Sequence, residues 1–276
     1  MTASINEAIK RGEEMGNAVA REVPVFLTFQ PMVNSECGRL ILRCHRVAYR
    51  EQDHLPGWGN LLSILRTGKF DLPVLYGNGL KISTPRAMVE YFDAAAPAER
   101  RLIPVAEPQK SEVEADWALF NGGMGAWTAQ FAYYHLLQDR PLMSRLFAAP
   151  LAGTEAKLTR PLYPLVRTVI GLGVKLSPEQ SQAALDLIRG AYDKAEKKIA
   201  DGRPFLAGDR LTLADLALAS SSAALLLPRG YDAVMPTIAE MPAALRAGVE
   251  ELRARPIAPF VQHIYDSLPP PTAVAA

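Results

Sequence analysis

From residue 23 the chain alternates short runs of strand-forming residues with polar turns, and past residue 111 it shifts to long stretches with an apolar residue every third or fourth position. Val23-Pro-Val-Phe-Leu-Thr-Phe29 predicts a first strand and Gln30 to Asn34 a loop. Leu40, Ile41, Cys44 and Val47 form one helical face, which predicts a helix from Ser35 to about Arg50. Glu51 to Asn60 is polar and turn-rich, so the strand signal between Val47 and Gly68 is poor, and Trp58 sits among glycines. Lys69 to Tyr76 then reads as a strand with Pro73 next to its start. A Gly77-Asn78-Gly79 turn, a second short strand, and a helix to about Ala95 follow, the helix opening with Thr84 as N-cap and Pro85 at its first position. Proline cannot donate to a ladder, so Pro73 marks a strand entry, an edge or a cis peptide.

Residues 97–110 carry Pro97, Pro104 and Pro108 among charges and read as a linker. The helical part predicts Ser111 to Gln138, Pro141 to Phe147, Gly153 to Gly173, Ser177 to Ala200, Leu213 to Leu227, Pro242 to Arg255 and a last piece from Phe260 to Ser267. The division is thus 1–22 as an N-terminal extension (a short amphipathic helix or a frayed arm), 23–96 as an α/β domain, 97–110 as linker, 111–268 as an all-helical domain, and 269–276 as a disordered tail.

Composition narrows the function. Of 276 residues 49% are apolar, enough for a large core, and 30 basic against 29 acidic residues leave a net charge of +1. Such balance gives no reason to expect nucleic acid or an anionic membrane as partner. There is no apolar run of spanning length, and the first residues lack a signal-peptide core. Cys37 and Cys44 are seven positions apart, roughly 10 Å along a helix, so they read as reduced thiols of a cytoplasmic protein. His45, His54, His135 and His263 show no metal spacing, so no metal is expected; no dinucleotide loop or nucleophile elbow is visible.

The most specific pattern is Gly202-Arg-Pro-Phe-Leu-Ala-Gly-Asp209 followed by Thr212-Leu-Ala-Asp215. Thr212 and Asp215 occupy N-cap and N3 of a new helix, a capping box with aspartate, whose loss costs ~1 kcal/mol. This segment closely resembles the signature of the cytosolic glutathione transferases. The hairpin around Pro73 and the helix start Arg86-Ala-Met-Val-Glu-Tyr-Phe92 are similar to the same family's N-terminal domain. The resemblance covers about residues 23–265. It implies a thioredoxin-like N-terminal domain followed by a glutathione transferase-type helical bundle, that is, α/β plus all-α.

The resemblance also implies a site. Glutathione would be the co-substrate, its thiolate resting at the N-terminus of the first helix. Ser35 and Cys37 fall where zeta-type members carry Ser-Ser-Cys. Ser35 would then donate to the sulfur, or serve only as an N-cap; Cys37 would assist or form a mixed disulfide, or be a half-buried packing residue. Leu72, beside Pro73, would bind the cysteinyl backbone, Ser83 or Thr84 the γ-glutamyl end, and Lys69 the glycyl carboxylate. Pro85 stands where the family has a serine, a departure that weakens the glutathione expectation. Phe120, Met124, Trp127 and Phe131, with Trp117 beside them, form an apolar stripe that is either substrate wall or core, and Gly122, Gly123 and Gly125 interrupt the same helix, which suggests a close approach there. The function implied is attack of the glutathione thiolate on a small apolar electrophile, in a homodimer. The alternatives are a non-catalytic binding module of the same fold, or a thiol oxidoreductase acting through Cys37.

Overall fold

A four-stranded sheet in the order β2-β1-β3-β4 organises the first part of the chain, built from β1 (Val25–Thr28), β2 (Arg50–Asp53), β3 (Val74–Gly77) and β4 (Leu80–Ser83). The structure, a computed structural model, describes residues 23–274; the N-terminal extension expected at 1–22 lies outside the described residues. β1 pairs in parallel with β2, with Phe26 opposite Glu51, and antiparallel with β3, with Phe26 opposite Leu75. The parallel pair needs a crossover, which α1 (Val33–Cys44) supplies. The four residues of β1 are buried, whereas β2 is an edge strand.

β2 corrects the expectation of a turn, since its sequence, Arg-Glu-Gln-Asp, contains no apolar residue. The inward positions are filled by charge pairing instead of hydrocarbon. Arg39 of α1 holds Glu51 with Nε and Nη2 at 3.0 and 2.6 Å, and the Thr28 hydroxyl lies 2.8 Å from Glu51 and 3.1 Å from Asp53. On the other face Tyr76 donates to Gln52. α1 also begins earlier and ends earlier than expected, because Met32 is its N-cap and the chain turns at Arg46 with φ 55°. Next come α2 (Trp58–Thr67), absent from the sequence expectation, and α3 (Pro85–Ala95), whose Thr84 cap accepts from the Ala87 N–H at 3.3 Å. The Leu72–Pro73 peptide is cis.

The helical part comprises α4 (Gln109–Trp117), α5 (Gly125–Leu136), α6 (Arg140–Ala148), α7 (Gly153–Val174), α8 (Pro178–Ile199), α9 (Leu213–Leu226), α10 (Ala243–Arg253) and α11 (Ile257–Ser267). The single helix expected over 111–138 is interrupted at Ala118–Met124, where its turns widen to i→i+5 bonding. The glycines there lower the cost of that departure, and the Ser221 hydroxyl donates to the Phe120 carbonyl at 2.8 Å. α9 is buried on nearly all sides and packs against α1, α4, α5 and α11, so one continuous core joins both parts of the chain. Its capping box is as expected, with Asp215 accepting from the Thr212 N–H and hydroxyl and from the Leu206 N–H.

The tail is a second correction. Instead of standing free, residues 269–274 run along Tyr49. Arg43 donates to the Pro269 carbonyl at 2.9 and 2.7 Å, and the Tyr49 backbone exchanges bonds with Thr272 and Val274. The free edge preceding β2 offers unpaired backbone groups, and the tail satisfies them. Among the described residues no helix is long and apolar enough to cross a membrane.

Gly38 of α1 marks the closest approach of helix and sheet. A Cβ there would come within 2.6 Å of the fully buried Phe26 ring. Gly38→Ala is expected to destabilise the fold by about 1–2 kcal/mol, overpacking outweighing the gain in helix propensity. Urea unfolding of the two proteins reads this difference directly.

Candidate functional site

α1 starts without a side-chain cap, and that start opens onto a cavity between the helices and the end of β2. Ser35 and Glu36 return their N–H groups to the Met32 carbonyl, while the N–H groups of Val33 and Asn34 have no partner among the described residues. Met32, Val33 and Asn34 all line a cavity of about 590 Å³, within the range of small-molecule sites. Free amides and the aligned helix dipole make such a position favourable for negative charge.

Polar groups at this end come from three elements. Asn34 Oδ1 accepts from Asn121 Nδ2 at 3.2 Å, which leaves the Asn34 amide N–H₂ free to donate. Asn121 belongs to the widened segment before α5. Gly125 permits the approach, because a Cβ there would sit 3.3 Å from Val33. Asp53, the last residue of β2, lies on the cavity wall. Burial pushes its carboxyl up to about 7, against the lowering effects of Thr28 and Arg39. Tyr133 of α5 also lines the cavity. Its hydroxyl is buried without a partner among the described residues, and burial together with the Asp53 charge raises its pKa. A phenol so held is a neutral donor.

Behind this wall is an ionic network. Glu36 and Glu51 share Arg39, and the Tyr265 hydroxyl donates to Glu36 at 2.8 Å, tying α1 to α11. Burial raises the Glu36 pKa despite Arg39. At the cavity edge Glu155, in the first turn of α7, clamps the loop after β2. Its carboxylate accepts from the Leu55 N–H at 2.8 Å and meets His54 Nδ1 at 2.7 Å. The remaining wall is hydrocarbon and aromatic, with Phe29, Leu55, Leu136, Met143, Phe147 and Ile170 among its residues.

The residues singled out from the sequence fall elsewhere. Ser35 is fully buried at the third helical position, its hydroxyl unpaired, and it does not line the cavity. Cys37 is also fully buried; desolvation pushes its thiol up to about 12 against a hydrogen bond from Ser220, so it stays protonated and out of reach. Leu72 is half-buried, and its backbone N–H and C=O make no hydrogen bond among the described residues, but neither it nor Pro73 lines the cavity. Ser83 is buried, the Thr84 hydroxyl is engaged in capping, and Lys69 is exposed. Phe120 and Met124 are fully buried core, with Trp117 and Trp127 packed against it, so the stripe is core and not substrate wall. The adjacent face, Asn121, Gly122, Gly125, Thr128, Ala129 and Tyr133, meets the cavity. The glycines were the usable signal for that face; Asn34, Asp53 and Tyr133 carried none.

The raised Asp53 carboxyl has a checkable consequence. A group whose pKa rises on folding, here from 3.8 to about 7, contributes stability that is complete below the lower value and is lost as pH rises through the higher. Unfolding free energy is therefore expected to fall between pH 5 and pH 8 (approximate bounds of that window) more in the wild type than in Asp53→Asn. Parallel slopes would refute the assignment.

The comparisons with known proteins follow this geometry. Residues 178–225 match the family model of the glutathione S-transferase C-terminal domain. No curated protein sequence matches the chain. Among solved structures, a glutathione S-transferase from Sinorhizobium meliloti 1021 is 19% identical with a TM-score of 0.52, over 88% of this chain and 98% of that one. Another, from Methylobacillus flagellatus KT with glutathione bound, is 14% identical with a TM-score of 0.50, over 88% and 93% of the two chains. A third, from Rhodospirillum rubrum F11, is 18% identical with a TM-score of 0.50, over 90% and 96%. This chain shares their fold, a small α/β unit followed by a helical domain.

Proposed function

We propose that this glutathione transferase-like chain binds glutathione with its sulfur at the start of α1 and transfers it to a small, largely apolar electrophile held in the cavity. One observation carries the reading: the unpaired N–H groups of Val33 and Asn34 and the free Asn34 amide all meet at a largely apolar cavity. A free thiol of pKa ~8.5 is mostly protonated at neutral pH, and donors at a helix N-terminus lower that value. The thiol proton is lost to solvent, the thiolate forms a C–S bond with the electrophile as its leaving group departs with the bonding pair (chloride from 1-chloro-2,4-dinitrobenzene), and Tyr133, kept neutral, offers a hydrogen bond to the acceptor's polar group. Asn34 takes the place first assigned to Ser35. Burial of Cys37 argues against a thiol oxidoreductase working through that residue.

A second reading, a glutathione transferase-fold binding module without turnover, is favoured by the γ-glutamyl end: Ser83 is buried and Thr84 is committed to its cap. Calorimetry with glutathione and turnover with 1-chloro-2,4-dinitrobenzene separate the two. The transferase reading expects binding, turnover, and in Ala129→Trp, which fills the cavity, a raised KM for the electrophile with glutathione binding retained. Binding without turnover leaves the module. Absence of both removes the glutathione reading altogether.

A further inference from the structure

α7 presents to solvent a row of aliphatic side chains that nothing among the described residues covers. Thr159, Tyr163, Val166 and Ile170 face the core. On another side Leu158, Leu162, Leu165, Val169 and Leu172 are 43, 42, 61, 40 and 78% exposed. Their spacing alternates four and three residues, so they form one continuous ridge roughly 21 Å long. Isolated exposed leucines need no explanation, but a ridge of five does.

Apart from Glu155, the charges that α7 and its C-cap carry have a single sign. Lys157, Arg160, Arg167 and Lys175 are exposed and make no ion pair among the described residues. The only acid of the helix, Glu155, is committed to His54 and Leu55. Arg140 adds a fifth cation. Pro164 has no N–H to offer the Arg160 carbonyl, and Arg140 Nη2 donates to that carbonyl at 3.1 Å. The net charge of +1 therefore averages over a segregated surface.

These features select among occupants. A second copy pairing through this ridge about a two-fold axis would set the cations of α7 against the same cations, and α7 itself brings no free acid to relieve them. The ridge is convex, so a protein partner would have to bring a matching groove. A deformable anionic surface needs none. We propose that α7 docks peripherally on an anionic phospholipid bilayer, with the leucine ridge at the acyl-chain boundary and the lysines and arginines at the phosphates. Val169 belongs to the ridge and to the cavity wall alike, so docking brings the cavity beside the bilayer.

The test is co-sedimentation of the full chain with vesicles of phosphatidylcholine alone and of phosphatidylcholine mixed with phosphatidylglycerol. Binding is expected only to the mixed vesicles, weakening as ionic strength rises. The pair Leu165→Glu with Leu172→Glu, and separately Arg160→Glu with Arg167→Glu, should each lower the bound fraction at least about tenfold. All four residues are exposed, and unchanged melting temperatures would show the variants folded. The proposal is overturned if folded wild type ignores mixed vesicles, as it would were an acidic protein segment the partner. It is equally overturned if both paired variants bind as wild type does, or if the leucine pair converts a dimer to a monomer without altering vesicle binding. Glutathione calorimetry on the same samples keeps this outcome separate from the fate of the transferase reading.

Discussion

Asn34→Ala is expected to lower kcat/KM for glutathione conjugation by about 10²- to 10³-fold, the loss seen when one donor to a developing or stabilised anion is removed from a water-poor site. Asn34 has its oxygen occupied by Asn121 and its N–H₂ free at the helix start, so it is set to donate and not to accept. The backbone amides of Val33 and Asn34 survive the substitution, so residual activity should persist. The pH profile carries the distinguishing signature. With the side-chain donor gone, the pKa of bound glutathione rises and activity shifts to higher pH. Ser35→Ala should leave turnover nearly unchanged, because its hydroxyl is buried, unpaired and away from the cavity. Removing an unsatisfied buried hydroxyl is neutral or mildly stabilising. Activity lost in Ser35→Ala and kept in Asn34→Ala would reverse the assignment.

Asp215→Ala should destabilise the protein by about 3 kcal/mol, combining a lost cap with buried N–H groups left without acceptors. Asp215 is fully buried and accepts from Leu206 N–H, Thr212 N–H and Thr212 Oγ1 at 2.8, 2.8 and 3.0 Å. One carboxylate thus ends the loop of Phe205 and Leu206 and starts α9, the helix at the centre of the core. A chain of this size loses about 2–4 °C in Tm per kcal/mol, so a fall of roughly 6–12 °C is expected by calorimetry. Asp215→Asn retains only one acceptor oxygen and should fall between the two. A change under about 1 kcal/mol would mean that water replaces the carboxylate, contrary to its burial.

The parts of the fold that were legible in the sequence are those whose cause is local. The capping box at Thr212, the proline start of α3 and the Gly-Asn-Gly hairpin each depend on residues a few positions apart. β2 was not legible, because what replaces its missing hydrophobic alternation is an arginine twelve positions before Glu51, on a helix, together with a threonine of the neighbouring strand. The docked tail was hidden for the same reason: its partners, Arg43 and Tyr49, are more than two hundred residues away. In the site, the glycines at 122 and 125 pointed to the right helix, but the large aromatics drew attention to its wrong face. Phe120 and Met124 have the strongest drive to leave water, and they went to the core.

By itself the sequence determined the two-part architecture, the order of most elements and the family resemblance, since periodicity, caps and turns act through neighbours along the chain. Only the tertiary structure decided that Asn34 and not Ser35 faces the cavity, that Cys37 is sealed away, and that Asp53 and Tyr133 share a wall. The physical reason is that one helical position is a rotation of about 100°. Which side of α1 meets solvent is settled by what α9 and the sheet require of its other sides, and those requirements come from residues distant in the chain.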